Sequence, residues 1–143
     1  MNFKKLQGAG NDFILINGLK HKIYDIHNLA KRVCDRHFGI GADGLMIVNE
    51  SDVADYRMTY VNSDGSEGEM CGNGIRCSTK FVYDEIEKKN SYNIETLAGI
   101  YNVEVISNDS LVGSFKVHML SPILEHESLP GKEYFDKSIL IDN

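Results

Sequence analysis

The stretch Asn62-Ser-Asp-Gly-Ser-Glu-Gly-Glu-Met-Cys-Gly-Asn-Gly-Ile-Arg-Cys77 decides how this chain is read. Tyr56 to Val61, just before it, has the make-up of a strand, and Thr79 to Lys88, just after it, that of a helix. Between them lies a loop of Gly, Ser, Asp, Glu and Asn, with Cys71 at the point where a helix can begin. Unpaired N–H groups and the helix dipole at such a point favour a thiolate. Cys71 is therefore expected to be a reactive acid/base, with Gly72, Asn73 and Gly74 holding an anionic group beside it. The opposing consideration is that cysteines are buried more often than they react. Cys77 falls on a different helix face, at a spacing from Cys71 that fits neither a zinc pair nor a redox pair, and is read as packing.

Toward the N-terminus, Phe3 to Leu6 is a short strand candidate, Gln7 to Asp12 a tight glycine turn, and Phe13-Ile-Leu-Ile16 a buried strand. Asn17-Gly18 is a further turn signal, and the whole suggests an N-terminal hairpin. Asp25 is a candidate helix cap, and Ile26, Leu29, Ala30, Val33 and Cys34 then recur with helical spacing, which puts Cys34 on an apolar stripe. Gly39-Ile-Gly-Ala-Asp-Gly44 spells the dinucleotide fingerprint, but a helix precedes it and a strand (Leu45 to Val48) follows. The phosphate loop needs the opposite order, so these glycines are expected to re-aim the chain.

Toward the C-terminus, Ile75, Thr79, Val82 and Ile86 repeat at about 3.6. Asp84 with Lys88 and Glu85 with Lys89 form favourable i, i+4 pairs, and Asn90 is a plausible C-cap. Ile94 to Leu97, Tyr101 to Ile106 and Leu111 to Met119 read as strands, with a turn at Asn108-Asp109. Ser121 to Lys132 is a Pro/Gly/charge-rich connector, and Ser138 to Asp142 a last strand candidate. Helices alternating irregularly with hairpin-like strands favour an α+β fold, a mixed or antiparallel sheet wrapped on helices, over a doubly wound one.

Composition narrows the function. The 143 residues suit one domain, or one domain with a fragment of another. A net charge of −6 with no Lys/Arg block argues against a nucleic-acid surface, so an anionic ligand must be met by local donors. Neither a signal peptide nor a membrane span is legible, and three cysteines without a Cys-x-x-Cys pair point away from disulfides and zinc. The expected location is the cytoplasm. Asn11 and Asn62 flank glycine turns, where they serve as turn residues or as amides that recognise a polar small molecule. Asp12, Asp43 and Asp64 are isolated in sequence and read as solvated turn acids rather than metal ligands, and the five histidines form no motif.

Three segments together carry a resemblance: Gly8-Ala-Gly-Asn-Asp-Phe13, Arg36-His-Phe-Gly-Ile-Gly-Ala-Asp-Gly-Leu45, and Asn62-Ser-Asp-Gly-Ser66 with Met70-Cys-Gly-Asn-Gly-Ile-Arg-Cys77. In order and spacing the chain resembles the N-terminal half of the diaminopimelate epimerase family, from Met1 to about Met119 and more faintly beyond. The resemblance implies a sheet curled around a central helix, in one of two similar domains that share a cleft. It implies chemistry without cofactor or metal: inversion of one α-carbon of LL-diaminopimelate to the meso form, for lysine and cell-wall peptide, by two cysteines on opposite faces of the substrate. By the match, Cys71 is one of those acid/bases, Asn11 and Asn62 contact substrate, and Gly72 and Asn73 are helix-end donors for its α-carboxylate. A thiol suits the task because its ordinary pKa of about 8.5 lies near working pH.

The family's second half carries another helix-start cysteine and a Glu-Arg pair that have no counterpart here, and Met119-Leu-Ser-Pro122 stands in place of its Met-Gly-x-Pro joint. The expectation is thus an epimerase N-terminal domain over 1–119 and a connector over 120–143 leading to an absent second domain, with one half of a site. A pair of copies that brings Cys71 to face Cys71 is a variant of this. The alternatives are an inactive or ligand-binding module that keeps the half-fold, and a related amino-acid racemase or isomerase.

Overall fold

A computed structural model of the chain describes residues 2–20 and 22–120. Most of the connector and the strand candidate Ser138 to Asp142 lie outside the described residues. The elements run β1 (Phe3–Gly8), β2 (Asn11–Asn17), α1 (Ile26–Cys34), β3 (Gly44–Asn49), β4 (Tyr56–Asn62), β5 (Glu67–Gly68), α2 (Gly72–Glu85), β6 (Ser91–Thr96), β7 (Gly99–Asn108) and β8 (Gly113–His118).

The eight strands of the described residues join one mixed sheet in the order β1-β2-β3-β4-β6-β7-β8, with β5 paired to β4. β2 with β3 and β4 with β6 are parallel, and the other pairs are antiparallel. The expected N-terminal hairpin forms, Phe3 opposite Ile16 through Gly8 opposite Asn11. Its two-residue turn is Ala9-Gly10, both at positive φ (52° and 92°), a backbone whose twist suits a tight hairpin.

The apolar runs in β2 and β3 are continuous because both sheet faces are covered. Phe13, Leu15, Met46 and Val48 point to one core, which packs on α2 with Ile75, Phe81 and Val82. Their neighbours Ile14, Ile16, Leu45 and Ile47 point to the other, with Ala30 and Cys34 of α1. Burying each such side chain contributes about 1.5–3 kcal/mol. The sheet curls around α2, which meets β1, β2, β3, β7 and β8. Residues Cys77 through Val82 are consequently all buried, a helix enclosed on most sides. Its polar groups are satisfied there: the Ser78 and Thr79 hydroxyls donate to Ile75 O, and Lys80 Nζ donates to Asn108 Oδ1 and Asp109 O.

The second helix starts where Cys71 led one to expect, but its predicted end needs correction. It begins at Gly72 and ends at Glu85, where the Ile86 and Glu87 N–H groups both turn back to Val82 O. The anticipated i, i+4 pairs do not form: Glu85 pairs with Lys4, Asp84 with Lys80, and Lys89 with Asp55 and Glu87. Asn90 caps nothing, because the helix has closed four residues earlier. Leu111 and Val112, read as the start of a strand, lie in the exposed β7–β8 turn. No helix among the described residues is long and apolar enough to cross a membrane.

Candidate active site

The parallel pairing of β2 with β3 and the antiparallel pairing of β3 with β4 bring distant segments to one end of the sheet. Phe13 lies opposite Gly44, and Gly44 opposite Asn62. The start of β2, the start of β3, the end of β4 and the N-terminus of α2 gather there.

Cys71 is the N-cap of α2, with extended backbone (φ −137°, ψ 115°). Its Sγ accepts from Gly74 N–H at 3.4 Å, and its carbonyl accepts from Ile75 N–H at 2.8 Å. Among the described residues the first-turn N–H groups of Gly72 and Asn73 have no acceptor, as is usual at a helix start. The space where a Gly72 side chain would stand is open for at least 4 Å. Cys71 is part-buried, beside Met70 and Tyr60 at the margin of the α2 core. The other two thiols are buried, and burial pushes each up to about 11. Cys34 lies on the α1 side of the sheet and Cys77 under β1, where a Cβ at Gly8 would come within 3.2 Å of Cys77 Sγ and Asn73 O.

Asn73, the second residue of α2, donates from Nδ2 to Asn11 Oδ1 at 2.7 Å, and its Oδ1 accepts from Arg76. Asn11 Nδ2 donates to Asp43 Oδ2 at 3.1 Å. Arg36 forks onto Asp12 at 2.7 and 3.2 Å and reaches Asp43 Oδ1 at 2.8 Å, while Lys5 adds a pair to Asp12 at 3.1 Å. The Arg36 guanidinium holds the Asp12 carboxyl well below the usual carboxylate range. For Asp43 the largest influence is the amide of Asn11, which lowers it. Asp12 and Asp43 are thus not solvated turn acids. Each also accepts the other's backbone N–H, so they clamp the starts of β2 and β3 together beneath Asn11. Asp64 does lie exposed in its turn, bonded to Ser66.

Asn62 sits one strand further along. Its Oδ1 accepts from Tyr60 OH at 2.5 Å and its Nδ2 donates to Ser66 Oγ at 2.9 Å. The structure therefore joins Asn11 and Asn73 directly and sets both beside Cys71 and Gly72. It places Asn62 at the same end on a separate hydrogen-bond chain. Sequence reasoning missed Asp12, Arg36, Asp43 and Tyr60 as parts of this region. The available signal was that Arg36 and Asp43 flank the second glycine loop. Among the described residues, no group of three or more His, Cys, Asp or Glu side chains is placed to hold a metal ion.

A half-barrel sheet curled around a buried helix is a recognisable fold. Solved structures share it: a phenazine biosynthesis protein of the PhzF family from Bacillus anthracis aligns with TM-score 0.61 at 23% identity, over 80% of this chain and 38% of that one. A methylitaconate-delta-isomerase aligns with TM-score 0.56 at 17% identity, over 92% and 68%. These likenesses establish the fold alone. The family follows from sequence: the family model described as diaminopimelate epimerase matches residues 3–122, and the chain belongs to that family. The diaminopimelate epimerase of Alkaliphilus metalliredigens is 49% identical over 99% of this chain and 52% of its own length. That of Methanococcus maripaludis strain C5 is 50% identical over 91% and 47%. The chain spans about half the length of these curated relatives.

Proposed function

We propose that this chain carries one face of a cofactor-independent epimerase site that takes LL-diaminopimelate to the meso isomer, with Cys71 as the acid/base on that face. The observation that carries the reading is the start of α2: a part-buried thiol beside two backbone N–H groups that have no acceptor among the described residues, with open space at Gly72, in a chain whose other thiols are buried. The Gly72 and Asn73 N–H groups receive the substrate's α-carboxylate, and Asn11 and Asn62 contact its polar groups. Removing an α-proton puts negative charge next to an existing carboxylate. Without an electron-sink cofactor, fixed donors must stabilise that charge, and preorganised N–H groups at a helix start do so. The hydrogen-bonded row Arg36–Asp43–Asn11–Asn73 holds the donors in place before substrate arrives.

Inversion needs a second acid/base on the opposite face. Cys34 and Cys77 are buried in separate cores and do not serve. The other face then comes from a second domain reached through the connector 120–143, with 1–119 as the N-terminal domain, or from a second copy of the chain. Three free thiols suit a reducing cytoplasm.

The test is α-proton exchange into diaminopimelate in D2O, followed by NMR, for the chain and for Cys71→Ala. A single working face exchanges the proton without inverting the centre, and the variant does neither. Binding without exchange in either protein favours the alternative of a ligand-binding module.

A further inference from the structure

We propose that Tyr60 is a specificity-determining residue of this site, its phenol oxygen accepting a hydrogen bond from a substrate ammonium group while Asn62 Nδ2 donates to a neighbouring carboxylate. The inference rests on the functional reading above and adds a residue that the reading does not use.

Its basis is a chain of hydrogen bonds whose direction is fixed from one end. Asp64 Oδ1 receives Ser66 Oγ at 2.6 Å and Ser66 N–H at 2.8 Å. Those bonds, the Ser66 hydroxyl first, hold the Asp64 carboxyl below its ordinary range, so it is an acceptor only. Ser66 has spent its proton there and must accept from Asn62. The Asn62 amide therefore turns Nδ2 toward Ser66 and Oδ1 toward Tyr60. Tyr60 must then donate, and its oxygen keeps lone pairs with no proton left to offer. Burial first, and then the charge of Cys71, raise the phenol's pKa and keep that proton on it. The pair presents one acceptor, Tyr60 Oη, beside one donor, the second N–H of Asn62. That pattern complements the ammonium and carboxylate of an amino acid.

Packing shows that the ring is built into this position. Tyr60 lies on the α2 face of β4, edge-on to Phe13 with centroids 6.0 Å apart. It covers the Cα atoms of Gly44 and Gly68: a Cβ at either would stand 2.5 or 2.3 Å from ring carbons. Two strands thus forgo side chains where the ring lies, and the hydroxyl is carried to the end of the sheet where Asn62 and Cys71 sit.

Tyr60→Phe keeps the ring and its packing and removes only the oxygen. Its dissociation constants are measured by calorimetry for diaminopimelate and for pimelate, the same seven-carbon diacid without ammonium groups. We expect Tyr60→Phe to bind diaminopimelate about tenfold more weakly and pimelate unchanged, the effect of losing one hydrogen bond to a charged group. Equal weakening of both ligands, or of neither, overturns the inference and leaves the site reading standing. A wild-type chain that fails to bind diaminopimelate overturns both.

Discussion

The two helices among the described residues each start on a capping side chain, but the caps differ in chemistry and in what they leave open. Each has an N-cap side chain that accepts from the N–H three residues on: Asp25 Oδ1 from Asn28 and Cys71 Sγ from Gly74, both at 3.4 Å. At α1 the cap is a carboxylate, and a further bond from Asn28 Nδ2 at 2.7 Å closes it. The positive end of that helix is neutralised by the protein itself. At α2 the cap is a sulfur, a weak acceptor, followed by Gly72, whose flank is open. The α1 start receives a carboxylate from Asp25, and in the proposed function the α2 start receives its negative charge from the substrate. The cap backbones differ as well, left-handed at Asp25 (φ 52°, ψ 56°) and extended at Cys71 (φ −137°, ψ 115°); in the proposed function the first start serves stability and the second serves chemistry.

Exchanging the caps gives the largest effect. Cys71→Ser keeps a good N-cap, so stability in urea should stay within about 0.5 kcal/mol, while Cys71→Ala should lose about 1 kcal/mol. Both should abolish α-proton exchange. A serine variant that still exchanges would mean the thiol is only a cap. The next effect concerns the support beneath Asn11. Asp12 and Asp43 have carboxyls held below their ordinary pKa of about 3.9. Their contribution to stability is present above that value and is lost as pH falls through the lowered folded values. Arg36→Met removes the cation they share. The gap in urea stability between wild type and Arg36→Met should therefore be widest near neutrality and shrink as pH falls below 4. A gap independent of pH would remove the ion cluster from the account. The smallest effect is expected at the other helix: Asp25→Ala should lower the melting temperature by a few degrees, less so in acid because Asp25 is also held low by Asn28, and leave exchange untouched.

What the sequence revealed depended on whether the cause was local. The strand Phe13 to Ile16, the Asp25 cap, the stripe from Ile26 to Cys34 and the helix start at Cys71 are set by neighbours within a turn or two, and all were legible. So was the order helix, glycine loop, strand around Gly39 to Gly44. The supporting contacts were not legible. Arg36 to Asp12 spans 24 residues, Asn11 to Asp43 spans 32, and Asn73 to Asn11 spans 62. Such pairs follow from the register of β2 on β3 and β3 on β4, which no window of sequence contains. Tyr60 showed itself only as one position of the strand candidate Tyr56 to Val61. Its role depends on Gly44 across one strand pair and Gly68 across another. The end of α2 was misjudged for the same reason: Lys89 had a plausible partner one turn away, and the fold gave it Asp55 from before β4.

The most direct test of the contrast between the two helix starts is thiol labelling of the native chain. At pH 8 with iodoacetamide, peptide mass spectrometry should find Cys71 labelled and Cys34 and Cys77 protected. Burial pushes both of those thiols up to about 11, which leaves little thiolate in them at pH 8. Added diaminopimelate should slow labelling of Cys71. Equal labelling of all three cysteines, or labelling of Cys71 that diaminopimelate leaves unchanged, would contradict the claim that the start of α2 is an open binding and reaction site.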